Sequence, residues 1–120
     1  MRKVQLKQAT LSTLSIIAVS IIVLAGLRAW VTAETPSDQG AKLFQSKGCV
    51  GCHFTDSQEA KFGPGLKGLF ERENLPESGR SATSENVRKQ LVDPYQKMPS
   101  FEDKLTEEQI DAIIAYLKTL

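Results

Sequence analysis

The clearest periodic pattern of apolar residues lies near the end of the chain. Four of them fall on one face at the spacing of an amphipathic helix: Ile110, Ile113, Ile114 and Leu117. Thr106, followed by Gln109 three positions later, gives the signature of a capping box. The pattern therefore predicts a helix that begins after Thr106 and buries one face.

Two shorter helices are predicted earlier in the chain. The first runs from about Gln39 to Ser46, with Asp38 as its cap and Gly48 at its C-terminal end. The second runs over 85–92, where Ser84 can cap it and Pro94 stops it.

The rest of the C-terminal part is predicted to be irregular. Residues 54–82 are mostly loop, with a short helical turn near 66–72. No stretch alternates between apolar and polar residues over the length of a strand. The sequence thus predicts an all-α domain.

A different pattern occupies the beginning of the chain. Residues 9–27 form a run of nineteen residues without a charge, long enough for roughly 28 Å of helix at about 1.5 Å per residue. Three basic residues precede it, and we expect them to stay on the cytoplasmic side: Arg2, Lys3 and Lys7. Residues 1–31 are therefore predicted to be a retained single-pass membrane anchor. The alternative is a secretory signal cleaved after Ala33, although the run exceeds the usual length of a signal peptide.

The distribution of charge separates the same two parts. Residues 1–33 contain four basic residues and no acidic residue, whereas residues 34–120 contain eleven basic and fourteen acidic ones, a net charge of −3. Residues 32–38 are short, polar and interrupted by Pro36, and are predicted to be a linker. The remaining 39–120 is a small domain, on the extracytoplasmic (periplasmic) side by this topology. A domain of about 80 residues has a small hydrophobic core and often needs a covalent cross-link or a bound metal to be stable.

The chemistry of the chain is concentrated in Cys49-Val50-Gly51-Cys52-His53, which contains both cysteines and the sole histidine. A structural zinc site needs four ligands, and five consecutive residues can hardly surround a tetrahedral ion. A thioredoxin-like pair is expected beside a βαβ pattern, which is missing. A structural disulfide remains open in an oxidising compartment, but it gives His53 no role.

Covalent attachment of one haem c uses every member of this motif. Cys49 and Cys52 would bond to the two vinyl groups of the haem, and His53 would ligate the iron. The covalently attached haem would also stabilise so small a domain. We therefore predict haem c as the cofactor.

The second axial ligand is predicted from a shortage of alternatives. The two methionines are Met1, which precedes the apolar run, and Met98, in a proline-framed loop before the last helix. Met98 is therefore the predicted partner of His53 on the iron, although filling the core is the commoner role of methionine. Histidine–methionine ligation leaves no open position for a substrate and favours Fe(II), which suits electron transfer and not catalysis.

Taken together, the residues resemble a class I c-type cytochrome over nearly all of 39–120. The resemblance rests on the segments GAKLFQSKGCVGCH, GPGLKGLF, VDPYQKMPSF and LTEEQIDAIIAYLKTL. It implies that the first and last helices cross, with four residues at the contact: Gly40, Phe44, Ile113 and Tyr116. It also implies that Pro64 accepts a hydrogen bond from His53. Candidates to contact the haem propionates are Arg72, Arg80 and Tyr95.

Within that family, residues 68–101 are similar to the cytochrome c domain fused to subunit II of some haem–copper oxidases. That subunit also carries a copper-binding β-domain, and no part of this sequence matches it.

The sequence predicts a membrane-anchored carrier of single electrons, and not an enzyme. Its expected partners are extracytoplasmic faces of respiratory or photosynthetic complexes, such as a quinol-oxidising complex, a reaction centre or a terminal oxidase. No nucleic acid and no small-molecule substrate is expected. One alternative is a fixed haem subunit of a larger membrane oxidoreductase. A less favoured alternative is a haem enzyme or gas sensor, which requires Met98 to leave the iron.

Overall fold

A computed structural model describes residues 33–120 of the chain, and residues 34–120 form one compact unit. The predicted anchor at 1–31 lies outside the described residues. Among residues 33–120, no helix combines the length and apolar character needed to cross a membrane.

Three α-helices and two 3-10 turns make up the regular structure of this part. In chain order the elements are α1 (Pro36–Ser46), a 3-10 turn at Cys49–Gly51, a second at Leu69–Glu71, α2 (Ser84–Val92) and α3 (Glu107–Leu117). Residues 33–120 contain no strand, only one isolated bridge between Asn74 and Ser81. The prediction of an all-α domain is confirmed for these residues.

Helix α1 begins three residues earlier than predicted. Its cap is Thr35, whose hydroxyl accepts from the Asp38 N–H while the Asp38 carboxylate accepts from the Thr35 N–H. Pro36 occupies the first turn, where the missing N–H costs nothing and the fixed φ suits the helix. The proline read as a linker residue is therefore part of the helix start, and Asp38 is the third helical residue and not the cap.

The other two helices lie close to their predicted positions. Helix α2 begins one residue early because Thr83, and not Ser84, accepts the capping hydrogen bond from the Asn86 N–H. Helix α3 has the predicted capping box between Thr106 and Gln109. All four residues of its predicted apolar face are buried.

The fold is closed by the crossing of α1 and α3. At Gly40 a side chain would collide with the backbone of Ala112, so glycine is what allows the two helices to approach this closely. One turn further, Phe44 and Tyr116 stack with their ring centroids 5.6 Å apart and their planes tilted by 60°. Ile113, fully buried, completes the contact. The crossing inferred from the resemblance is present, at the same residues.

Candidate functional site

The two cysteines and the histidine form a tight turn directly after α1. Gly48 adopts φ 80°, a left-handed conformation that glycine reaches without strain, and so redirects the chain. The carbonyl of Cys49 then accepts hydrogen bonds from the N–H groups of Cys52 and His53, at 3.1 and 3.0 Å. Both thiols are free, with Cys49 buried and Cys52 exposed, and both border one cavity.

The ring of His53 is held in a single tautomer. Its Nδ1 lies 2.8 Å from the carbonyl oxygen of Pro64. Because a carbonyl can only accept, Nδ1 carries the proton, and in the neutral ring the lone pair is on Nε2. A side chain at Gly63 would lie 2.5 Å from the ring's Cε1 atom, so glycine makes room for the imidazole. The imidazole is thus oriented with one nitrogen available as a ligand.

The loop that carries Pro64 is tied back to the cysteine turn. The N–H of Gly63 donates to the Cys52 carbonyl at 2.9 Å. The ammonium of Lys61 donates to the Val50 carbonyl at 3.1 Å and lies 5.4 Å from the centre of the Phe54 ring. These contacts fix the carbonyl that orients His53.

Met98 lies in the loop between α2 and α3, half-buried and on the wall of the same cavity. The loop is fastened to the end of α2 by two hydrogen bonds, from Ser100 Oγ to the Val92 carbonyl at 2.7 Å and from the Phe101 N–H to the Leu91 carbonyl at 2.8 Å. The side-chain amide of Gln90 donates to Met98 Sδ at 3.6 Å.

The cavity has a volume of about 490 Å³, within the usual range of roughly 300–1,000 Å³ for sites that hold small molecules. Most of its lining side chains are apolar, and the crossing contributes some of them: Phe44, Ile113 and Leu117. All five predicted cofactor-binding residues also border it: Cys49, Cys52, His53, Pro64 and Met98. A haem group fits this donor set, because two thiols, a free imidazole nitrogen and a thioether border one apolar space.

Two competing chemistries find no support in the geometry. A thioredoxin-like pair is expected beside a βαβ unit, and residues 33–120 contain no strand to form one. Within residues 33–120, no three side chains of histidine, cysteine, aspartate or glutamate come together as a metal site. A zinc site built from the motif is therefore not formed in this part of the chain.

The three propionate candidates lie in different places. Tyr95 borders the cavity and is partly exposed. Arg72 is not on the cavity wall; its guanidinium donates to the carbonyls of Gly65 and Lys67, at 2.9 and 2.8 Å. Arg80 is not on the wall either. The structure therefore brings one of the three to the cavity.

Phe62 and Gln90 are among the cavity residues that sequence reasoning did not single out. Phe62, 87% exposed, gave no signal, since an aromatic in a glycine-rich loop belongs to no periodic pattern. Gln90 could have been found, because it lies three positions after Val87 and so on the buried face of α2.

Comparisons with known proteins agree with the resemblance. The family model described as Cytochrome c matches residues 37–120. Cytochrome c oxidase subunit 2 of Alkalihalophilus pseudofirmus is 32% identical over 92 residues, which cover 72% of this chain and 26% of that protein. The protein of the same name from Bacillus subtilis is 32% identical over 100 residues, or 74% of this chain and 28% of that protein. The chain therefore spans about a quarter of the length of these relatives.

Proposed function

This chain belongs to the cytochrome c family, and from that premise we propose that it carries single electrons on one covalently bound haem c ligated by His53 and Met98. Proteins of this family carry haem, and a cytochrome c domain acts as an electron carrier. The observation that supports the proposal is the position of both cysteines, His53 and Met98 on the wall of one apolar cavity.

The thiols provide the attachment. Each S–H would add across one vinyl group, so that a carbon–sulfur bond forms, the hydrogen passes to the other vinyl carbon and no external oxidant is needed. Cys49, from inside the core, and Cys52, from its surface, would then secure one edge of the group to the backbone.

When bound, the haem supplies a one-electron Fe(III)/Fe(II) couple. His53 would bind through Nε2 while Pro64 keeps the Nδ1 proton in place. Met98 would supply a soft thioether as the second ligand, which would favour Fe(II). The apolar side chains of the cavity wall would limit the access of water to the bound group. With both ligands supplied by the chain, the iron would offer no position to a substrate, which favours a carrier without enzymatic activity.

The partner and the location belong to the same proposal. The relatives are named as subunits of cytochrome c oxidase, which favours a terminal oxidase as the electron acceptor. The predicted anchor at 1–31, joined to the haem domain by the few residues that precede α1, would place that domain on the extracytoplasmic side of the membrane, where a tether raises its effective concentration near such partners.

A fixed haem subunit of a larger membrane complex is the second candidate, and the fusion of similar domains to oxidase subunits favours it. Extraction in mild detergent followed by sizing separates the two. A free carrier elutes as a single small species, whereas a subunit elutes with other polypeptides.

The ligands are tested by spectroscopy of the purified haem protein. We expect the ferric form to show the long-wavelength charge-transfer band of sulfur-ligated haem, and Met98→Ala to abolish it. The same variant should make the reduced protein bind carbon monoxide, which the parent should exclude. Met98→Ala that keeps the band would refute methionine ligation, and a colourless protein from a host able to attach haem c would refute the proposal as a whole.

A further inference from the structure

Gln90, in the last turn of α2, contacts the Met98 loop at two points. Its Oε1 accepts a hydrogen bond from the Tyr95 N–H at 3.3 Å, and its Nε2 donates to Met98 Sδ at 3.6 Å. One half-buried amide therefore joins the helix to both the beginning of the loop and the methionine.

The orientation of this amide is determined by its neighbours. A backbone N–H can only donate, so the oxygen of Gln90 must face Tyr95. The NH2 group is then left facing Met98 Sδ, which is a weak acceptor. Rotating the amide by half a turn would place two donors against each other at Tyr95. The backbone N–H of Tyr95 therefore determines that Gln90 presents its NH2 group to the Met98 sulfur.

The segment between the two contacts needs such support. Gln96 adopts φ 58°, a left-handed conformation that is strained for a residue with a side chain. Tyr95, Gln96 and Lys97 are all exposed, so little apolar packing holds this part of the loop. The side chain of Gln90 supplies hydrogen bonds from α2 at both ends of this segment.

We propose that Gln90 is a positioning residue that presents the Met98 sulfur to the iron and reduces the electron density on it; this rests on the proposed ligation by Met98. A thioether sulfur has two lone pairs. The Nε2–H group of Gln90 occupies one, which leaves the other for the metal. A hydrogen bond to a ligand changes its donor strength, and because Fe(III) needs more donation than Fe(II), this one raises the reduction potential.

The proposal predicts two changes for Gln90→Leu in the full-length haem protein. The Met98 loop loses its anchor, so added imidazole should displace the methionine from ferric iron about tenfold more readily. The sulfur regains electron density, so the ratio of reduced to oxidised protein at a fixed ambient potential should fall about threefold.

A second variant separates the two contacts. Gln90→Glu keeps an oxygen for the Tyr95 N–H but has no donor for the sulfur when ionised. Imidazole affinity should therefore stay closer to that of the parent than in Gln90→Leu, while the reduced fraction falls at least as far. Gln45→Leu is the matched control, because Gln45 is an exposed glutamine on α1 with no part in the cavity.

The measurements on these variants distinguish the proposal from a purely structural role of Gln90. The proposal is overturned if Gln90→Leu matches Gln45→Leu in both imidazole affinity and reduction potential. It is also overturned if Gln90→Leu lowers only the midpoint of unfolding, since that is a purely structural effect. A charge-transfer band that survives in Met98→Ala refutes the ligation itself, whereas a band lost in Met98→Ala with no effect at Gln90 refutes this inference alone.

Discussion

The helix crossing and the two cavity loops (residues 54–66 and 93–99) border the same cavity but are held in place by different forces. The crossing is an apolar contact, in which Phe44 is 3% exposed and Ile113 is fully buried. The cavity loops are held mainly by hydrogen bonds, such as those made by the Pro64 carbonyl and by Gln90. We infer that changes at the crossing act on the free energy of unfolding, whereas changes in the loops act on the groups offered to the iron.

The largest expected difference is between two phenylalanines, Phe44 at the crossing and Phe62 in a cavity loop. Phe44→Ala removes a buried ring from the crossing and should lower the free energy of unfolding by about 3–5 kcal/mol. Phe62→Ala removes a ring that borders the cavity but is 87% exposed, and should lower it by no more than about 1 kcal/mol. Denaturant unfolding of the haem protein, followed by far-ultraviolet circular dichroism, measures both. Similar losses in the two variants would contradict the comparison.

A smaller effect is expected at a glycine of the crossing. Gly40→Ala would force a methyl group against the Ala112 backbone, so α1 and α3 must separate. The expected loss is about 2 kcal/mol, because overpacking outweighs the better helix propensity of alanine. Gly51→Ala is the control, since a side chain there meets no atom within 4 Å. If both variants unfold like the parent protein, the close approach of the helices is not what requires glycine at position 40.

The smallest effect concerns the backbone of the Met98 loop. Gln96→Gly should leave the protein as stable or up to about 1 kcal/mol more stable, because relief of the left-handed strain exceeds the entropy that glycine costs. The same change in α1, Gln45→Gly, should destabilise by about 0.5–1 kcal/mol, since glycine is unfavourable inside a helix. Thermal unfolding of the two variants under one set of conditions compares them. Destabilisation by Gln96→Gly equal to that of Gln45→Gly would show that position 96 is not strained.

The parts of the fold that depend on local signals were predictable from the sequence. The apolar face of α3 and its capping box are set by spacing within one turn of helix, and both are present. The start of α1 was misplaced because a capping box with aspartate at its third helical position was not recognised. Pro36, which favours that start, was read instead as a chain breaker.

The ligands of the candidate site could be predicted from the sequence, but the contacts that hold those ligands in position could not. The spacing of Cys49, Cys52 and His53 and the shortage of other donors are properties of the sequence alone. The contact of Gln90 with Met98 depends on a turn at Gln96 with a positive φ, which the sequence does not specify. Arg72 points to backbone carbonyls for a similar reason, since those carbonyls are placed by the fold of residues 65–67.

The crossing of α1 with α3 also has a consequence for the order of events in biosynthesis. Because Phe44 packs against residues of α3, the core cannot close until the ribosome has added residues 107–117. Before α3 has packed against α1, Cys49, which the finished fold buries, should be as accessible as Cys52. We therefore expect Cys49 to react most readily before the crossing has formed, and Cys52 to remain accessible afterwards.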